Sequence, residues 1–226
     1  MIPPRLSFWK GVEVRRLILP LFFGILGTAI LVSLGTWQVQ RLFEKKAILA
    51  EIDARIAAQP VAIPDVPDAT RDRFLAVEAD GVITDEELHV LASTRDVGAV
   101  YRVISVFELD DGRRILLDRG WMPPTQKDAK RLPVQATVVG NLHWPDEIDS
   151  YTPEPDRAKN IWFAREVSVM ADSLESEPIL LIARNSSETD LVVTPLPVDS
   201  AGIPNDHLEY VITWYGLAVV WVGMTL

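Results

Sequence analysis

Two long apolar stretches, one near each end of the chain, frame a middle section of shorter alternating runs. The first is uncharged from Leu17 to Gln40, between Arg16 and Arg41, and is longer than the ~20 residues a helix needs to cross a bilayer core. The second starts near Tyr210 and carries no side-chain charge to Leu226. It is apolar on every face, which suits lipid better than half-exposure. Both read as transmembrane helices, and the abrupt end at Leu226 suggests a basic tail beyond it. A cleaved signal peptide is the competing reading of the first stretch. A signal core is usually ~7–15 residues and ends at small residues. This run is longer and leaves through Trp37, Gln38 and Arg41.

After the first span the pattern stays helical. Leu42, Lys45, Leu49, Ile52 and Ile56 recur every three or four residues, predicting an amphipathic extension over 41–59 that Pro60, Pro64 and Pro67 terminate. The period then shortens to two. Strands are predicted at Phe74–Ala79, Leu88–Ser93, Val100–Leu109, Arg114–Asp118, Val134–Trp144 and Pro178–Ala183, with a short helix at Val167–Ser173. Asp110, Asp111 and Gly112 supply hairpin-turn chemistry. The expected fold class is a membrane protein of α+β type, with spans at 17–40 and 210–226 flanking one mostly antiparallel β domain over 60–209.

Charge orients this layout. Residues 1–16 carry Arg5, Lys10, Arg15 and Arg16 against Glu13, a balance of +3; the whole chain is −10, which leaves −13 for the rest. Basic residues before the first span place residues 1–16 in the cytoplasm. The acidic domain then lies in a bacterial periplasm, the protein crosses the plasma (inner) membrane twice, and both termini are cytoplasmic. An acidic domain also argues against a nucleic-acid partner.

The chain has no cysteine, which removes disulfides, thiolate nucleophiles and copper-thiolate sites. It lacks a phosphate-binding glycine loop, H-E-x-x-H and G-x-S-x-G, so no enzyme activity is expected. Of three histidines, His89 and His143 fall on strands, where structural roles are ordinary. His207 stands three residues before the second span, with Tyr210 and Trp214 following on the same helical face. Trp37 and Arg41 leave the first span at the matching depth, i and i+4. An interfacial aromatic belt is the plainer account of these five residues.

Three segments carry a family resemblance: LGTWQVQRLFEKKAIL (Leu34–Leu49), DRGWMPP (Asp118–Pro124) and NDHLEYVITWYGLA (Asn205–Ala218). In order and spacing they resemble the surfeit locus protein 1 family across essentially the whole chain. Phe43, Glu44, Asp118, Asp206 and Val211 depart from that pattern. The resemblance implies an assembly factor for aa3-type cytochrome c oxidase that binds haem a and aids its insertion into the large catalytic subunit, with haem a synthase a further candidate partner. His207 matches the histidine implicated in that family. On this reading His207 ligates the haem iron, and Trp37, Tyr210 and Trp214 flank the porphyrin. Arg41 and Arg119 pair with propionates, and Gly24, Thr28, Gly216 and Ala218 let the spans approach. The alternative is a membrane-anchored adaptor that binds no haem and stabilises an oxidase assembly intermediate.

Overall fold

A computed structural model describes residues 14–94, 96–189 and 192–225. The segment expected in the cytoplasm, 1–16, lies outside the described residues except for the start of a helix at Val14. The chain divides into two units, one of residues 1–50 with 201–226, the other of residues 51–200.

The first unit is a pair of helices. Helix α1 (Val14–Ile56) runs unbroken through the apolar stretch and its amphipathic continuation. Helix α3 (His207–Thr225) begins just after Asp206, with Glu209 in its first turn to complement the exposed N–H groups. Both helices are long and apolar enough to cross a membrane. They leave large side chains such as Leu19, Phe22, Ile25, Ile212, Val219 and Met224 exposed. So wide an apolar surface is what a two-span membrane protein turns to lipid and a soluble monomer does not show.

The second unit is a closed five-stranded barrel. Strands β1 (Ala76–Thr94), β2 (Gly98–Leu109), β3 (Arg114–Met122), β4 (Val134–Leu142) and β5 (Glu177–Ser186) pair in the order β1-β2-β3-β5-β4, closing back on β1. All pairings are antiparallel except β3 with β5. The strands expected at Phe74–Ala79 and Leu88–Ser93 are two arms of β1, joined through a bulge between Ile83 and Glu87. Thr84, Asp85 and Glu86 break the hydrophobic alternation there, which is why the sequence reads as two strands. Gly112 (φ +88°) turns the β2–β3 hairpin, as glycine readily does.

Alternate residues of the strands fill two large cores, and Val103, Met122 and Val193 form a smaller cluster. Val77, Phe107, Leu117, Val138 and Leu181 point into the barrel. Val106, Leu116, Leu180 and Ile182 point outward, where helix α2 (Val167–Ser173) covers them with Val167, Met170 and Ala171, beside Trp162. Buried on both faces, β3 opens with the unbroken apolar run Ile115–Leu117 rather than an alternating one. The last turn of α1 belongs to this unit. Its Ile56 carbonyl, orphaned at the helix end, accepts from Asn141 Nδ2 (3.1 Å) and Arg184 Nη1 (2.9 Å).

In β3 the pairing with β2 shifts from Ile104↔Asp118 to Val103↔Gly120, so Arg119 is an extra, bulged residue. Gly120 follows at φ +116°, and a Cβ there would stand 2.0 Å from the Thr194 carbonyl oxygen. Replacing Gly120 with alanine combines backbone strain with a backbone clash. It should destabilise the barrel by about 3 kcal/mol, read as a lower thermal midpoint of the detergent-solubilised chain.

Candidate functional site

Helices α1 and α3 meet along a stripe with a repeating four-three step. Gly24, Thr28, Leu31, Gly35, Gln38 and Leu42 are among the least exposed residues of α1, and His207, Val211, Trp214, Ala218 and Thr225 of α3. That spacing is the seam of left-handed helix packing. Glycines bring the backbones close: a Cβ on Gly24 would stand 2.2 Å from Thr225 Cγ2, on Gly27 2.4 Å from Trp221 Nε1, and on Gly35 3.0 Å from the Tyr215 ring. Gly216, expected at this contact, sits two residues from buried Ala218 and so on the opposite face, where a Cβ would meet nothing within 4 Å. Thr28 lies on the seam and donates within its own helix to the Gly24 carbonyl (2.7 Å).

Among the described residues, three hydrogen bonds cross the seam. Trp221 Nε1–H donates to the Gly24 carbonyl at 3.1 Å. Tyr215 and Thr36 hydroxyls lie 3.1 Å apart; Thr36 already donates to Val32, so Tyr215 is the donor. At the end where α3 begins, His207 Nδ1 lies 2.8 Å from Gln38 Oε1. Such bonds between membrane helices contribute only about 0.6 kcal/mol each, so close packing carries most of the association and the polar groups set its register. An apolar groove of about 450 Å³ runs deeper along the pair, lined by Leu21, Gly24, Ile25, Thr28, Val222 and Thr225 among others.

The residues singled out from sequence fall as follows. His207 is half-buried at the first position of α3, against Gln38. Trp37 and Arg41 are exposed, with the guanidinium 5.7 Å from the indole ring centre and also 2.7 Å from Glu44. Trp214 is partly buried on the seam, and Tyr210 is exposed beside it. Gln38 was not singled out by sequence; its signal was a lone amide on the seam of an apolar helix, where an unpartnered polar group is costly.

Arg119 belongs to the barrel, on the β3 bulge and on the same side of the strand as Ile115 and Leu117. It is buried, pairs with Glu188, and lies 3.7 Å from Glu87. Glu87 also accepts from Arg131 (2.5 Å) and His89 Nε2 (2.8 Å). This network explains Arg119 without a ligand. On the other side of the bulge, fully buried Asp118 binds Arg102 (2.6 Å) and Arg165 (3.1 Å), and Arg165 also pairs with Glu147. A cavity of about 290 Å³ lined by Arg102, His143 and Arg165 opens beside this cluster, but both guanidiniums already have carboxylate partners. His143 stacks on Phe74 with ring centres 5.0 Å apart, and its Nδ1 is buried without a partner among the described residues.

These surroundings fix two titrations. Burial, then the charges of Arg73 and Arg165, pushes His143 down to about 4. Burial works to raise Glu87, but hydrogen bonds from His89 and Arg131 outweigh it and hold the carboxyl at about 2. An unfolded chain takes up a proton on His143 below about 6.5, while the folded one refuses it until about 4. The His143 contribution is therefore lost as pH falls from about 6.5 to about 4, and that of ionised Glu87 as pH falls from about 4.5 to about 2. Thermal melts of wild type and His143→Asn should converge, or cross in favour of the variant, on acidification through the first window. Parallel curves there would show that His143 does not titrate as its surroundings require.

Comparison with known proteins agrees with this architecture. The sequence model of the SURF1 family matches residues 25–219, from within the first span to within the second. A SURF1-like protein of Rickettsia felis is 29% identical over 203 residues, covering 84% of this chain and 88% of that protein. Surfeit locus protein 1 of Xenopus tropicalis is 28% identical over 211 residues (82% and 67%), and that of Homo sapiens 27% over 214 residues (82% and 69%). With its family match reaching into both spans and covering the whole barrel, this chain belongs to the SURF1 family.

Proposed function

We propose that this protein is an assembly factor for aa3-type cytochrome c oxidase. It binds haem a on its helix pair at the outer face of the membrane and passes it to the large catalytic subunit, without catalysing a reaction of its own. The observation that carries this reading is the half-buried imidazole of His207 at the end of two membrane-length helices, held by a neighbouring amide. Membership of the SURF1 family supports the oxidase as destination.

The residues suit such a cargo chemically. A haem with a long hydrocarbon tail needs an axial ligand near water, apolar walls for its ring and a greasy channel for its tail. His207 offers the ligand, Trp37, Tyr210 and Trp214 offer rings at the same end of the pair, and the groove by Gly24 and Thr28 offers apolar volume deeper down. Arg41 is exposed and its ion pair with Glu44 lies on the surface, a bond weak enough to be exchanged for a propionate. Arg119, committed to Glu188 and Glu87, is left out of this site. The basic flank before the first span orients the protein with its termini in the cytoplasm and its barrel in the periplasm of a bacterial inner membrane.

Full-length protein co-expressed with haem a synthesis should carry a visible haem spectrum, and His207→Ala should lose it while keeping the wild-type circular dichroism. Haem retained by the variant with an unchanged axial-ligand signature would refute the assignment. Colourless wild-type protein that still co-purifies with the oxidase subunit would identify an adaptor instead.

A further inference from the structure

We infer that Gln38 is the positioning residue for His207: it fixes the proton on Nδ1 and so reserves the lone pair on Nε2 for a metal. This rests on the proposed role of His207 as a ligand and names the group that prepares it. The carboxamide oxygen of Gln38 can only accept, so the ring nitrogen facing it at 2.8 Å must be the donor. A neutral imidazole carries one N–H; with that hydrogen on Nδ1, Nε2 is a lone-pair donor.

The arrangement is held from both sides. Gln38 is 8% exposed on the seam of α1, between Gly35 and Leu42, so its side chain has little freedom to swing away. Its amide needs a partner in that apolar setting, and the ring supplies one. His207 is the first residue of α3, so the helix start sets where its ring stands, while Gln38 sets how the ring is turned and which nitrogen is bare. Metal-bound histidines generally donate their second N–H to an oxygen, and losing that partner lowers metal affinity by roughly 10–100-fold. An exposed terminal histidine serving only as part of an aromatic belt would have no need of a buried amide on the opposite helix.

The test has an arm without haem and an arm with it, both on the full-length chain in detergent. In the first, nitrogen-15 NMR of histidine-labelled protein at neutral pH should show Nδ1 protonated and Nε2 bare, and Gln38→Leu should lose that bias. In the second, titration with haem a should show Gln38→Leu binding roughly 10–100-fold more weakly. Gln38→Glu should restore binding, with a lower reduction potential because a carboxylate draws the Nδ1 proton more strongly. A purely structural role for Gln38 would leave the wild-type tautomer bias in place in Gln38→Leu. Nε2 protonated in the wild type, or affinity and potential unchanged in both variants, would overturn the inference. If wild-type protein binds no haem yet carries its proton on Nδ1, the haem reading of the site fails and the hold of Gln38 on the ring stands.

Discussion

Lipid offers two apolar helices no hydrophobic reason to associate, since hydrocarbon tails are as apolar as leucine. Whatever α1 and α3 do together must therefore come from close contact and from the few polar groups they can pair. The glycines at 24, 27 and 35 permit the contact, each opposite a large or branched side chain of α3. The polar groups then select the register. A slide of one helix past the other would leave the Trp221 indole, the Tyr215 hydroxyl and the Gln38 amide without their partners together. His207 is placed by that register, so packing far along the pair helps decide where the imidazole stands.

The barrel meets a different constraint, that of burying charge. Asp118 and Arg119 are adjacent in sequence and both buried, yet they serve separate networks, one with Arg102 and Arg165 and the other with Glu87 and Glu188. Successive strand residues face opposite sides, so Asp118 lies with outward-facing Leu116 and Arg119 with inward-facing Leu117. Each network holds carboxylates against guanidiniums, so removing one partner would strand a buried charge, whereas the intact pair need add little net stability. Their role is best understood as holding β1, β2, β3 and the segments around Glu147 and Glu188 in one arrangement.

Local signals in the sequence were enough for the elements. The uncharged run from Leu17 announced α1, and the pattern through Ile56 announced its continuation, because helical periodicity is a property of neighbouring residues. The short helix at Val167–Ser173 and the turn at Gly112 were legible for the same reason. The join between the arms of β1 was hidden because Thr84, Asp85 and Glu86 look like a loop until β2 is seen to bridge them. The facing of Gly216 was hidden too, since smallness shows that a residue can be approached, not that its face is the one approached.

By itself the sequence determined that two lipid-length helices enclose a β domain, that thiol chemistry is absent, and that an imidazole stands at the start of the second span. These follow from composition and period along a single stretch of chain. Only the tertiary structure decided that the strands close into a barrel, that Arg119 is bound by carboxylates of its own domain, and that Gln38 faces His207. Each of these joins residues far apart in sequence, and no local pattern records which distant group will satisfy a buried charge or an amide. That pairing is fixed when the seam and the barrel close, because a polar group removed from water must find a partner among whatever the fold brings beside it.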